Sequence, residues 1–445
     1  MAIRKLHLEQ SATETYTSNA GLALVGQCVR LSLLDSMSFE KQQRSGSCHS
    51  DILTSYLTLA SLGKSDFEAI ENYRNDTYFK TAMGLADVPS SSTLRQRMDD
   101  QADDYRDVID TAMMNFMVKA RLPVTAISTG HVVLDLDVFP MDNSKTHKEG
   151  VSLTYKGHDG YAPLAAYLGN EGWCLACELR EGKQHGQKEF IHTLERVLPR
   201  ARLLTSSPLL MRLDSGHDAL ENRRYLEKEH VDYMIKWNPR QEKKKAQYWL
   251  LLAEEMGDQV IWETPREGKR VATFSVQIKQ EIDGEQQTFR RVMQITERCI
   301  DKKGQCLLIA DIEVEGWWTS LIESDLDVIE LYKQHATSEQ FHSEFKTDLD
   351  VERLPSGKFD TNDLVLACHA FAYNMLRLIG LQGLIGKNSP VRHTAKRRRV
   401  KTVLQEFMYL AARVMQRSRQ RWLRFSKQCA AYSAFGQVYR YLASL

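Results

Sequence analysis

Four residues in the stretch "ELYKQHATSEQFHSEFK", positions 330–346, could do chemistry together: Tyr332, His335, Glu339 and Lys346. At about 100° per residue, their spacing places all four within roughly 60° of one another on a helix. A carboxylate, an ammonium, a phenol and a titratable imidazole in one polar stripe suit the handling of a phosphate. Ordinary solvated helices also show such stripes, so the weight of this one depends on what it faces.

Two further regions supply acids. Asp137 stands in the apolar run "HVVLDLDVF", where an unpaired carboxylate is costly to bury. Asp135 shares its strand face. Asp214 ends a second apolar run, "PLLMRL", directly before Ser215 and Gly216. Strand ends of this kind face the crevice where α/β sheets place ligands. Singly, each acid is as compatible with a satisfied structural carboxylate as with a functional one. Together with Glu339 they form a set of hard oxygen donors suited to Mg²⁺, with Mn²⁺ able to substitute. Two such ions about 3.5–4 Å apart can align the attacking and leaving oxygens of a phosphodiester. That chemistry needs no protein nucleophile, and the sequence carries no GxSxG motif.

These acids need a scaffold. Residues 1–125 read as a helical domain for DNA binding or subunit pairing, from the apolar spacing of "TSNAGLALVGQCVRLSLLDSM" and the capped, amphipathic run after "PSSST". From residue 130 strands alternate with helices: "HVVLDLDVF", a hairpin of "PLAAYLG" and "WCLACELRE" around "GNEG", the helix "QKEFIHTLERVLPR", then "PLLMRL", "DALENRRYLEKE" and "VDYMIKW". This rhythm predicts an α/β core over 126–239. Residues 240–315 read as a β-rich insertion with a turn at "DGEQQ". The core resumes over 316–390, with Ser324 and Asp327 as a capping box.

Residues 391–445 read as a basic helical region. "VRHTAKRRRVK" and "VMQRSRQRWLRF" are dense in Arg and Lys, with Trp422 and Phe425 interleaved. Basic helices of this kind suit phosphate contact, and Arg397, Arg398 and Arg399 are the strongest candidates. Elsewhere the chain is balanced, with a net charge of +1. Hydrophobic residues make up 42% and charged ones 26%, values of a water-soluble protein. The first residues lack the apolar core of a signal peptide, and no membrane partner is expected. Eight mostly isolated cysteines fit reduced thiols and a cytoplasmic setting. The Cys174–Cys177 pair lacks a second zinc-ligand pair and lies in an alternating segment, so strand packing is expected.

With these residues assembled, the sequence resembles the DDE transposases of bacterial insertion sequences. It is most similar to the 1380 family, in the group sharing a Y-x2-R-x3-E-x6-K signature. Tyr332, Glu339 and Lys346 match that spacing, while His335 stands where arginine is usual. "MRLDSGHD" resembles the block of the second aspartate, "VVLDLDVFP" that of the first, and "YKGHDGYAPLAAYLG" the segment after it. The resemblance implies an RNase H-like catalytic core with a β-rich insertion, flanked by helical N- and C-terminal regions. It implies a metal-binding triad of Asp137, Asp214 and Glu339, with Asp135 as the alternative to Asp137. Tyr332, Lys346 and, in the arginine's place, His335 would position transposon-end phosphates. Trp317 and Trp318 could stack on a displaced base near the cut, with core packing the competing role.

The resulting expectation is an Mg²⁺-dependent DNA endonuclease and strand transferase, holding two ions. It would bind the terminal inverted repeats of its element as a homodimer, cleave the ends and join the 3′-hydroxyls to target double-stranded DNA. The setting would be the bacterial cytoplasm, on the nucleoid when bound to DNA. Two rivals are a sequence-specific DNA-binding protein that has lost catalysis and a nuclease of the same fold that cleaves without joining.

Overall fold

The strand carrying Asp135 and Asp137 lies inside a nine-stranded sheet. The computed structural model describes residues 5–40, 46–240, 245–282, 284–301 and 303–445. Five strands form the half of the sheet that holds the acids: β1 (Val132–Val138), β2 (Leu164–Leu168), β3 (Trp173–Glu178), β4 (Leu209–Leu213) and β5 (Asp232–Lys236). β2 runs antiparallel to β1 and to β3, whereas β4 is parallel to β1 and β5 parallel to β4. The order is therefore β3-β2-β1-β4-β5. The parallel steps require crossovers, supplied by the helices Phe190–Leu204 and Leu220–Lys228.

The β-rich segment does not stand apart as a separate lobe. Its strands β6 (Ile261–Arg266), β7 (Lys269–Ile282), β8 (Glu285–Ile300) and β9 (Cys306–Thr319) continue the same sheet. β9 joins it through Trp317–Thr319, which pair antiparallel with Met234–Lys236 of β5. A helix, Ala246–Glu255, precedes these strands. The turn read at "DGEQQ" is tighter than expected, since Ile282 already faces Glu285 across the ladder. Asp283 of that turn lies outside the described residues.

The N-terminal segment is helical as expected, and it shares one core with the sheet. The helix Ala102–Lys119 packs against the helix Phe359–Gly383, which itself lies against β3. Arg106 of the first donates to Asp363 of the second at 2.7 Å and to the carbonyl of Cys177 on β3 at 2.9 Å. The 25-residue helix Phe359–Gly383 is apolar and long enough to cross a membrane, but here its apolar window is 94% buried within the protein. Its Asn374 exchanges two hydrogen bonds with the backbone of Cys174, so the outer edge of β3 is covered rather than left open. Cys174 and Cys177 are buried free thiols, as strand packing requires.

The C-terminal region departs from expectation. Residues 391–399 form no helix. Ala412–Arg417 and Gln420–Arg424 form a β-hairpin instead of a basic helix. Its turn residues Ser418 and Arg419 both take positive φ, 46° and 66°, a pattern that matches the twist of the flanking strands. Thr15–Thr17 pairs with this hairpin at Ala412–Val414, which brings the two ends of the chain together.

The helix Asp325–Lys333 begins as predicted, with Ser324 accepting from the backbone N–H of Asp327. Replacing Ser324 with Ala should lower stability by about 1 kcal/mol. Urea unfolding would show a lower midpoint at unchanged slope.

Candidate active site

Asp137 is the penultimate residue of β1, and Asp214 follows the last residue of β4. These strands are adjacent and parallel, so both carboxylates emerge at the same sheet end. Glu339 approaches from the helix Thr337–Ser343, with its side chain exposed. Burial, then the negative charge of Asp214 and more weakly that of Glu339, raise the pKa of Asp137 to about 7 against the opposing pull of His335 and the Val138 N–H. All three acids also act on Tyr155, whose hydroxyl is pushed up to about 12 by burial and then by Asp137, Asp214 and Glu339. The three side chains therefore share one electrostatic field, although they are remote in sequence.

Each acid keeps a free oxygen. One oxygen of Asp137 accepts from the Val138 N–H at 2.7 Å, and the other lies 3.9 Å from Nδ1 of His342. Oδ1 of Asp214 is shared by the Gly216 N–H at 3.0 Å and by Nδ1 of His217 at 2.8 Å. Burial works against its charge, but His217 and Gly216 hold its pKa below the usual carboxylate value. A side chain at position 216 would meet that carboxylate, its Cβ falling 3.1 Å from Oδ1. Glu339 makes no hydrogen bond or ion pair with a described residue. Among the described residues, no three His, Cys, Asp or Glu side chains are already gathered closely enough to hold an ion.

Asp135 has a different environment. Arg212 donates to both of its oxygens, at 2.7 and 2.6 Å, and His335 Nδ1 lies 3.0 Å from Oδ1. Asp135 is only 2% exposed. Burial disfavours its charge, yet Arg212 and His335 overcome this and lower its pKa. The other NH group of Arg212 donates to the carbonyl of Leu331 at 2.9 Å, which ties the helix Asp325–Lys333 to the sheet. Asp135 is thus bound up in a buried ion cluster beneath the surface on which Asp137 emerges.

The stripe on residues 330–346 does not survive as a single line. After Lys333 the chain passes through a 3-10 turn at Gln334–Ala336, the helix Thr337–Ser343 and a π turn at Glu344–Asp348. Each change of winding rotates the following side chains out of phase. Tyr332 turns inward and donates to the carbonyl of Leu213 at 3.1 Å. His335 is buried against Asp135, which raises its pKa although burial alone would lower it. His335 faces the Asp135 carboxylate here, instead of facing solvent as a phosphate donor. Lys346 donates to the carbonyl of Pro140 at 2.8 Å and pairs with Glu352 at 3.4 Å.

Two histidines missed at the sequence level belong to the site. His217 is almost completely buried, supports Asp214 and packs against Phe190. His342 stacks on Phe139 with ring centres 4.7 Å apart, and burial lowers its pKa to about 3. Both follow a candidate acid by three residues, in "DSGH" and "EQFH". That spacing was the available signal.

Residues 5–445 match the family model described as transposase DDE domain, group 1. The chain belongs to that family. Members of this transposase family act on DNA and generally use divalent metal ions. No curated protein is matched by the sequence. Among solved structures, the cryo-EM structure of a piggyBac transposase synaptic complex with hairpin DNA is similar at 9% identity and a TM-score of 0.40. The alignment covers 95% of this chain and 83% of that one. A likeness at that level carries no argument here.

Several expected DNA contacts of this transposase domain have other partners. Trp317 and Trp318 are 3% and 4% exposed, so neither offers a face to a displaced base. Trp317 packs in an apolar cluster with Val133, Leu210 and Ile329. Trp318 lies beneath the guanidinium groups of Arg223 and Arg291, at 4.1 and 4.9 Å from its ring centre. Arg397 pairs with Glu344 at 2.6 Å, and Arg399 with Asp348 at 2.7 Å. Arg398 is buried and donates to the carbonyls of Leu384 and His393. Arg397 and Arg399 thus brace the π turn and Arg398 ties down the preceding loop, instead of all three forming a free cationic face.

Proposed function

We propose that the protein is a cut-and-paste transposase of the signature group containing the bacterial 1380 insertion sequences, with Asp137, Asp214 and Glu339 as its catalytic acids. The observation that carries this reading is that Asp137 and Asp214 emerge at one end of the adjacent parallel strands β1 and β4, where Asp214 and Glu339 both act on Asp137 and all three act on Tyr155. The strand order β3-β2-β1-β4-β5, with β2 antiparallel, supports an RNase H-like core.

The donor set fits divalent metal. It is all carboxylate oxygen, with one oxygen free on each aspartate, and Asp137, whose pKa is raised by burial and then by the charge of Asp214, would have its ionised form favoured by a bound cation. Bound Mg²⁺ or Mn²⁺, as a pair of ions, would supply Lewis acidity and an activated water. The chain's own residues perform the remaining work. His217 and Gly216 orient Asp214, and the Asp135–Arg212–His335 cluster fixes the end of β1. Tyr155, with an exposed ring and a neutral hydroxyl beside the acids, borders the path of the DNA strand. Hydrolysis of a phosphodiester at each element end would free a 3′-hydroxyl. That hydroxyl would attack target DNA, displacing a 3′-oxygen in line. Two copies of the chain would hold the two ends, in the bacterial cytoplasm and on the nucleoid.

Replacing Asp214 with Asn is the direct test. Binding to end DNA should persist within about twofold while Mg²⁺-dependent nicking disappears. Nicking at the wild-type rate would remove Asp214 from the mechanism. The rival reading, a DNA-binding protein without catalysis, draws on the absence of a preassembled ligand triad among the described residues. It predicts end binding but no cutting with any divalent metal.

A further inference from the structure

The hairpin Ala412–Arg424 is the most cationic uncompensated surface near the chain's end. Between residues 407 and 445 there are seven Arg or Lys residues and no Asp or Glu. Unlike Arg397 and Arg399, the side chains of Arg417, Arg419, Arg421 and Arg424 have no carboxylate within ion-pair distance among the described residues. All four are exposed, as are Gln416 and Gln420.

The ladder register shows how these groups are displayed. Gln416 faces Arg421, Arg417 faces Gln420, and Met415 faces the half-exposed Trp422. Arg413 lies directly opposite Arg424, a like-charge pairing that weakens a hairpin. Glu14 neutralises only Arg413, at 2.7 Å. The base of the hairpin is anchored, since Val414 and Leu423, on the same face as Gln416 and Arg421, are partly buried against the main core. The ribbon is thus held at its base, and its free tip carries guanidinium and carboxamide groups.

We infer that this hairpin is a duplex-DNA contact, with its Gln416–Arg421 tip seated in the major groove and Arg424 on the adjoining phosphates. The inference rests on the transposase reading and locates a DNA contact within it. A two-stranded ribbon fits the major groove, which is about 12 Å wide. Arginine and glutamine are also the side chains that pair in bidentate fashion with guanine and adenine edges there. An acidic protein surface would satisfy the charges but gives no reason for the alternating carboxamides.

The test uses the full chain, without metal, and a fluorescent random-sequence duplex. The quadruple variant R417Q/R419Q/R421Q/R424Q should bind at least tenfold more weakly. The slope of log affinity against log salt should become shallower by about 3. W422A should weaken binding without changing that slope. Circular dichroism and the unfolding midpoint establish that each variant is folded. As a milder second variant, R424Q alone should reduce the slope by about 1. Unchanged affinity and slope in folded variants would overturn the inference. So would normal duplex binding combined with loss of self-association in sedimentation, which would make the hairpin a subunit contact. The transposase reading is judged separately by metal-dependent nicking: a wild type that nicks while the hairpin variants bind and nick equally well rejects the hairpin assignment alone.

Discussion

Asp137→Asn should yield a protein that is more stable above neutral pH and almost inactive. Loss of one metal-binding oxygen and its charge should reduce nicking on the order of 10³-fold or more. The stability effect follows from the raised pKa. Burial, then Asp214 and Glu339, place the native pKa of Asp137 at about 7, against about 3.9 in an unfolded chain. Between those values the unfolded chain has released a proton that the native protein keeps. Stability therefore falls as pH rises from about 4 to about 7. At about 1.4 kcal/mol per unit, removing the ionisation should gain roughly 2–4 kcal/mol at pH 8 and little at pH 4. Thermal unfolding of metal-free protein at several pH values measures this. A gain independent of pH, or retained nicking, would contradict the assignment.

Arg212→Met should have the opposite outcome, a large loss of stability. It strips two charge-assisted hydrogen bonds from Asp135 and leaves a carboxylate that is 2% exposed with only His335 beside it. Breaking one side of a buried pair typically costs about 3–5 kcal/mol. The helix Asp325–Lys333 also loses its link through the Leu331 carbonyl. Because the pKa of Asp135 is lowered in the native protein, its contribution is present above pH 4 and lost as pH falls. Urea midpoints should show the deficit, and the double variant D135L/R212M should recover much of it. A single variant as stable as wild type would show that the cluster does not hold the strand end.

The core strands were legible because alternation and apolar runs are local signals. "HVVLDLDVF" and "PLLMRL" became β1 and β4, so the sequence alone put two acids on separate core strands, and the fold brings them to one sheet end. Less legible were features set by distant partners. Asp135 and Asp137 look alike in sequence, and only Arg212, 77 residues away, distinguishes them. Arg397 and Arg399 read as free cations because Glu344 and Asp348 lie 53 and 51 residues upstream. The hairpin at Ala412 was hidden because Ser418 and Arg419 take a turn that usually signals itself by Asn-Gly. Residues 330–346 were read as a continuous helix, and the 3-10 and π windings that break it have no simple side-chain signature.

The sheet that displays Asp137 and Asp214 also runs outward as an unbroken beam. β9 spans 14 residues, roughly 45 Å at about 3.3 Å per residue. Its outer part exposes Leu308 and Ile309, while Trp317–Thr319 at the inner end are stitched to β5. Lengthening the outer tip would change the reach of the beam and leave the acids undisturbed. A one-residue slip at the inner end would turn Trp317 and Trp318 to opposite sides and unseat the neighbour of the strand that precedes Asp214.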